Sequence, residues 1–201
     1  LLVSAPCGRN LPTRRILSSR TYDIRQGGSL YIDGEGAGEV KIEVVSQWQD
    51  HVEVDSAVGF ETMVDEESQV MSIQRGETGS FLRVITPESI NVFVRGHVMN
   101  LSLINKIEGD ISVDCEAGSV SVDKVRGMNV NLDCGVASVE SKKLIEGDSV
   151  DISCGEMKAK MVNGEAVKLV ANEGGIEIGA AYINRLNAEG CGDVKIDLLN
   201  G

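Results

Sequence analysis

From Ile111 to Gly201 one short pattern recurs about every nineteen residues, and no other feature constrains the fold as strongly. Its first element reads Ile111-Ser-Val113-Asp-Cys115, Val130-Asn-Leu132-Asp-Cys134, Val150-Asp-Ile152-Ser-Cys154, Val167-Lys-Leu169-Val-Ala171 and a weaker Leu186-Asn-Ala188, with starts 19, 20, 17 and 19 residues apart. A second element follows each time, at Val120-Ser-Val122, Val139-Glu-Ser141, Met157-Lys-Ala159, Ile176-Glu-Ile178 and Val194-Lys-Ile196. A third apolar anchor then falls at Val125, Leu144, Val162, Ile183 and Leu199, and Gly109, Gly127, Gly147 and Gly164 mark where one unit closes and the next opens.

Alternation of apolar and polar residues with period two is the signature of a strand with one buried face. A unit of this length cannot bury that face alone, so copies must stack on one another. The units are too short to hold a crossover helix, and no window carries apolar residues at i, i+3, i+4 and i+7. The predicted fold is therefore all-β: a parallel β-solenoid with short coils of about 19 residues, equivalent positions of neighbouring coils lying about 4.8 Å apart. All three prolines, Pro6, Pro12 and Pro87, precede the repeat, as a parallel ladder requires.

By parity Ile111, Val113 and Cys115 point the same way, so Cys115, Cys134 and Cys154 form an inward ladder that continues as Ala171. Thiols this close could pair as a disulfide or hold a soft metal. There is no CxxC or Cys/His cluster to support a metal, and the replacement by Ala in the next coil favours small buried hydrophobes.

Aromatic residues make up only 3% of the 201 residues, which suits thin coils filled by Val, Ile, Leu, Ala and Cys and leaves few stacking platforms for single-stranded nucleic acid. The net charge of −12 disfavours a phosphate-coated partner, so no nucleic acid is expected. No run of eighteen apolar residues is present, so no transmembrane segment is expected. Five cysteines without a disulfide-like framework point to a reducing compartment.

The charge is unevenly placed. Arg9, Arg14, Arg15 and Arg20 stand in a stretch without acids, leaving −16 on the other 181 residues. The Arg- and Ser-rich run 14–20 reads as the end of a mitochondrial or plastid transit peptide, or equally as a basic arm, so residues 1–21 form a basic transit-like or extended arm and a mitochondrial location is expected. Residues 22–88 read as an N-terminal β region of irregular spacing that caps the solenoid, with strands over 29–32, 40–45, 51–54, 70–73 and 81–85. Residues 89–201 carry the solenoid repeats. Gly34-Glu35-Gly36-Ala37-Gly38 lacks the GK[ST] and the helix of a phosphate loop and reads as a hairpin or coil corner.

The stretch Ile107-Glu-Gly-Asp-Ile-Ser-Val-Asp-Cys-Glu-Ala-Gly-Ser-Val-Ser-Val, preceded by Val84-Ile-Thr-Pro, resembles the "putative adhesin" β-strand repeat family, a domain of unknown function with eukaryotic members. The resemblance covers half to two thirds of the chain. It implies the repeat fold and, since those relatives carry no assigned enzymatic site, it brings no catalytic residue with it.

Site chemistry is sparse. His51 and His97 are the only histidines, neither in HExxH nor beside a second ligand, and no nucleophile-elbow sequence is present. No cofactor is expected. Asp114 and Asp133 occupy equivalent outward positions, followed by Ser153, with Glu116 beside the first. Such carboxylates could bind Ca²⁺ or serve a polysaccharide-cleaving β-helix, but the row breaks at Lys168 and reads as a solvated acidic face.

Apolar residues at outward positions are more suggestive. Phe93, Val170 and Trp48 are of this kind, and the last coil ends in Leu198-Leu199 without a capping element, so these five residues are the candidate interface. The resulting expectation is a non-catalytic β-solenoid scaffold or accessory subunit in a mitochondrial assembly, meeting protein partners partly through its open C-terminal coil. An adhesin-like carbohydrate- or surface-binding module is the alternative, favoured by any aromatic-lined groove, and a polysaccharide-active β-helix enzyme stands third.

Overall fold

The computed structural model describes residues 20–56, 59–77 and 79–201. Seven strands come first: Arg20–Tyr22 (β1), Ser29–Asp33 (β2), Val40–Gln47 (β3), Val52–Ser56 (β4), Phe60–Asp65 (β5), Val70–Arg75 (β6) and Phe81–Pro87 (β7). Six follow, most of them bending round several corners: Asn91–Glu108 (β8), Ile111–Asp133 (β9), Ser138–Cys154 (β10), Glu156–Ala171 (β11), Ile176–Gly190 (β12) and Val194–Asn200 (β13). All belong to one sheet wound round one apolar core, a parallel β-solenoid of about six turns with coils of about nineteen residues.

The register follows the sequence repeat. Val150 lies opposite Val130 on one side and Val167 on the other, and Leu186 follows Val167. Val139 likewise continues through Met157 and Ile176 to Val194. Every strand in this part is parallel, because a coil that closes in nineteen residues returns to its starting corner pointing the same way.

Two members of the third column differ from the sequence expectation. Ile145, not Leu144, lies opposite Val125 and Val162 and is fully buried, whereas Leu144 faces Lys124 and is half-buried. The coil that starts at Val130 is one residue longer than the one before it, and the surplus falls at Lys142-Lys143, where the register shifts. In the next column position Ala181 lies opposite Val162, while Ile183 is buried two residues further on, opposite Gly164. The column therefore runs Ile107, Val125, Ile145, Val162, Ala181 and Leu199.

The N-terminal residues contribute two further coils, stacked out of sequence order. β2 and β3 lie directly on β8, with Leu30 opposite Val92 and Ile42 opposite Leu101. β6 and β7 lie on the far side of β2 and β3, with Met71 opposite Leu30 and Leu82 opposite Ile42. The coil that is first in sequence thus sits between the second and the third. β5 pairs antiparallel with β6, β4 with β7, and β1 with β4, so the outer edge is covered by strands that do not continue the parallel stack.

Arg75 anchors the glycine-rich loop. Its guanidinium donates to the carbonyls of Gly34, Ala37, Gly38 and Glu39 at 3.0–3.3 Å, and its Nε donates to that of Gly79. The loop therefore presents carbonyl oxygens to a cation, the opposite polarity to the N–H cradle of a phosphate loop.

Cys115, Cys134 and Cys154 are buried free thiols, and Ala171 lies opposite Cys154. The hydrogen bond to Cys115, together with burial, pushes the Cys134 thiol well above its ordinary range. Burial, with Glu156 nearby, pushes Cys154 up to about 12. Cys134 and Cys154, which hold their protons more tightly than an ordinary thiol, are therefore poor nucleophiles and poor metal ligands.

Candidate functional site

Two outward columns cross the N-terminal coils side by side. The first runs Ser72, Tyr31, Phe93, Ser112 and the second Gln74, Asp33, Arg95, Asp114, each residue in register with the next. Period-two alternation aims both columns away from the core, since the alternate residues Leu30, Ile32, Val92 and Val94 are buried.

The Tyr31 and Phe93 rings stack with centroids 4.6 Å apart and planes 12° from parallel. That separation is close to the spacing of neighbouring coils, about 4.8 Å, so the stack runs along the solenoid axis. Its two ends fall over serine positions, which are too small to cover a ring. Met63 of β5, opposite Ser72 and 64% exposed, flanks one end. Tyr31 is 42% exposed and Phe93 half-buried. The surrounding groove holds about 510 Å³ and includes Arg95 and Asp114 at its edge.

The second column is held by charge. Arg95 donates to Asp33 at 2.7 Å and approaches Glu35 at 3.8 Å. Partial burial would raise the Asp33 carboxyl, but hydrogen bonds from Arg95 and from the Glu35 N–H outweigh it and hold the group below its usual range. Arg95 is therefore fixed as a planar donor fork beside the aromatic pair. At the adjoining corner His97 meets Glu116, Nδ1 to Oε2, at 2.9 Å.

The candidate interface residues do not form one patch. Phe93 lies in the groove just described, and Trp48 stands in the turn after β3, lining a different groove. Val170 is half-buried between Ser153 and Glu189, several coils from Phe93, and so makes no exposed apolar surface with it. Leu198 and Leu199 are exposed on β13, which has a pairing partner on one side only. Arg20 lies in β1 with an exposed side chain, whereas Arg9, Arg14 and Arg15 lie outside the described residues. Asp114 borders the aromatic groove in register with Arg95, and Asp133 lies opposite Ser153. Tyr31 and Met63 were not singled out by sequence; their signal was parity alone, in short strands whose neighbours could not be read.

Among the described residues no three His, Cys, Asp or Glu side chains converge as metal ligands, and no helix is long and apolar enough to cross a membrane.

Parallel register, one continuous core and coils of about nineteen residues define this chain as a parallel β-solenoid protein, and its surface carries a groove built on a stacked aromatic pair. No protein-family model matches the sequence, and neither does any curated protein. Solved structures similar to it include a "putative cell adhesion protein" from Clostridium sporogenes, 10% identical, the match covering 90% of this chain and 98% of that one with a TM-score of 0.31. Another is a "putative adhesin" from Bacteroides fragilis, 13% identical, covering 89% of this chain and 95% of that one with a TM-score of 0.35.

Proposed function

We propose that this chain is a non-catalytic β-solenoid contact module, a scaffold or accessory subunit that engages a protein partner through the Tyr31–Phe93 face. The observation that carries the reading is the stacked pair itself. A chain with only three Phe, three Tyr and one Trp sets two of them together on the outside of its sheet. Tyr, Met and Arg are side chains over-represented at protein interfaces, and Tyr31, Met63 and Arg95 line one groove with Phe93. The charged column beside the rings supplies the polar rim that fixes orientation.

A second reading, an adhesin-like saccharide-binding module, is favoured by one observation. Ser72 and Ser112 leave the ends of the stack uncovered, and Gln74, Asp33, Arg95 and Asp114 alongside offer donors and acceptors to hydroxyl groups. The two readings share the groove and differ in its occupant.

The test is affinity for the protein that co-isolates with the intact chain, compared with the variant Tyr31→Ser combined with Phe93→Ser. Both positions face outward, so the thermal midpoint should hold within a few degrees. Binding is expected to weaken at least about thirtyfold, the loss of one hot-spot cluster. Unchanged affinity would remove the groove as the contact site. Binding of glycans by the wild type and not by the variant would turn the reading to its saccharide form.

A further inference from the structure

A second exposed aromatic stands apart from this face. Trp48 is 91% exposed in the turn that follows β3 and borders a groove of about 450 Å³ with Asn105, Lys106, Lys124 and Lys143. The groove's frame is fixed. Ser46 Oγ donates to the Lys106 carbonyl at 2.5 Å, Asn105 Nδ2 donates to the Ser46 carbonyl at 2.9 Å, and Asn105 holds the left-handed conformation with φ 69°.

The charges along it are arranged at a cost. Lys106 and Lys124 are directly opposite on neighbouring coils, and like charges in that relation destabilise a sheet. Lys106 is neutralised by Glu88 and Glu108, at 3.0 Å each. The next three lysines are not. Lys142 and Lys143 share the single carboxylate of Asp123 at 3.9 and 3.7 Å, and Lys124 makes no ion pair among the described residues. Lys124, Lys142 and Lys143 thus have one ion-paired carboxylate among them, and Lys124 and Lys143 line the groove together with Lys106 and its partner Glu88 beside a solvent-facing indole, on a chain whose net charge is −12. The surplus residue of the twenty-residue coil is what brings the lysine pair to this corner.

We propose that the Trp48–Lys124–Lys143 corner is a docking site for an acidic peptide segment of a protein partner. Carboxylate side chains would bridge the unneutralised ammonium groups while an apolar side chain of the same segment covers the indole. The apolar area of Trp48 and the size of the groove exceed what a lone inorganic anion would use, and the lysines select against a neutral or basic segment. The site is independent of the Tyr31–Phe93 face, since the two grooves share no lining residue.

Trp48 is the only tryptophan, so its emission reports the site without a label. The intact chain is titrated with a short glutamate-rich peptide carrying one central leucine, with its glutamine analogue, with oligogalacturonate and with inorganic phosphate. A saturable blue shift with the glutamate peptide alone is expected. The affinity should fall at least about tenfold in Lys124→Glu combined with Lys143→Glu, and stay unchanged in Lys158→Glu on another face. An unchanged spectrum with the glutamate peptide, an equal shift with the glutamine analogue, equal affinity in the double variant, or a response only to oligogalacturonate or phosphate would each overturn the proposal.

Discussion

Replacing Gly118 by Ala is expected to cost about 3–5 kcal/mol of folding free energy, one of the largest single-residue losses in this chain. Gly118 has φ +112°, a conformation that L side chains rarely adopt. A Cβ there would lie 2.0 Å from the Met99 carbonyl oxygen. Met99 is the residue opposite it on the preceding coil and is fully buried, so neither backbone can move aside without opening the stack. Gly38 gives the control: φ is +77°, but no atom lies within 4 Å of where a Cβ would stand, and Gly38→Ala should cost about 1 kcal/mol from backbone strain alone. Urea unfolding of the two variants separates conformation from contact. A Gly118→Ala loss no larger than that of Gly38→Ala would mean that the coils do not approach each other there.

The second large effect discriminates between two adjacent residues. Ile145→Ala should cost about 3 kcal/mol, because the side chain is fully buried in a column between Val125 and Val162 and its loss leaves a cavity that flanking coils cannot collapse into. Leu144→Ala should cost less than about 1 kcal/mol, since Leu144 is half-buried opposite Lys124. Denaturation midpoints of the pair read the register directly. The reverse order of losses would place the surplus residue of that coil elsewhere than Lys142-Lys143.

These two adjacent positions also show how far the sequence could be read. Strict spacing places the anchor at Leu144, nineteen residues after Val125, and only pairing on both sides reveals that one coil has absorbed an extra residue. A one-residue bulge leaves both neighbours apolar, so composition gives no warning. Apolar character is equally ambiguous at Val98 and Met99, where the register is continuous and only Met99 is buried. The first and second columns carried no such ambiguity. Their alternation recurs in each coil from Ile111 to Ile178, with Ser141 the one polar residue at a buried position, and the register follows the repeat.

The candidate site was less legible for a topological reason. Phe93 could be placed outward by the parity of Val92 and Val94, but its stacking partner Tyr31 is 62 residues away. Nothing local signals that β2 would pair with β8 and leave β6, the strand nearer in sequence, on the far side. An aromatic-poor composition therefore concealed an aromatic groove that non-sequential stacking of two coils assembles.

Both the groove and its occupant depend on that stacking. The most direct measurement is oxidative cross-linking of engineered cysteine pairs in a background lacking Cys7 and Cys191. Tyr31→Cys with Phe93→Cys should close a disulfide readily, since in-register neighbours on adjacent strands lie about 4.8 Å apart and within the span of the bond. Ser72→Cys with Phe93→Cys should not, as β2 stands between them and the separation is about 10 Å. Efficient cross-linking of the Ser72–Phe93 pair, with none for Tyr31–Phe93, would show that the coils stack in sequence order and would dissolve the site.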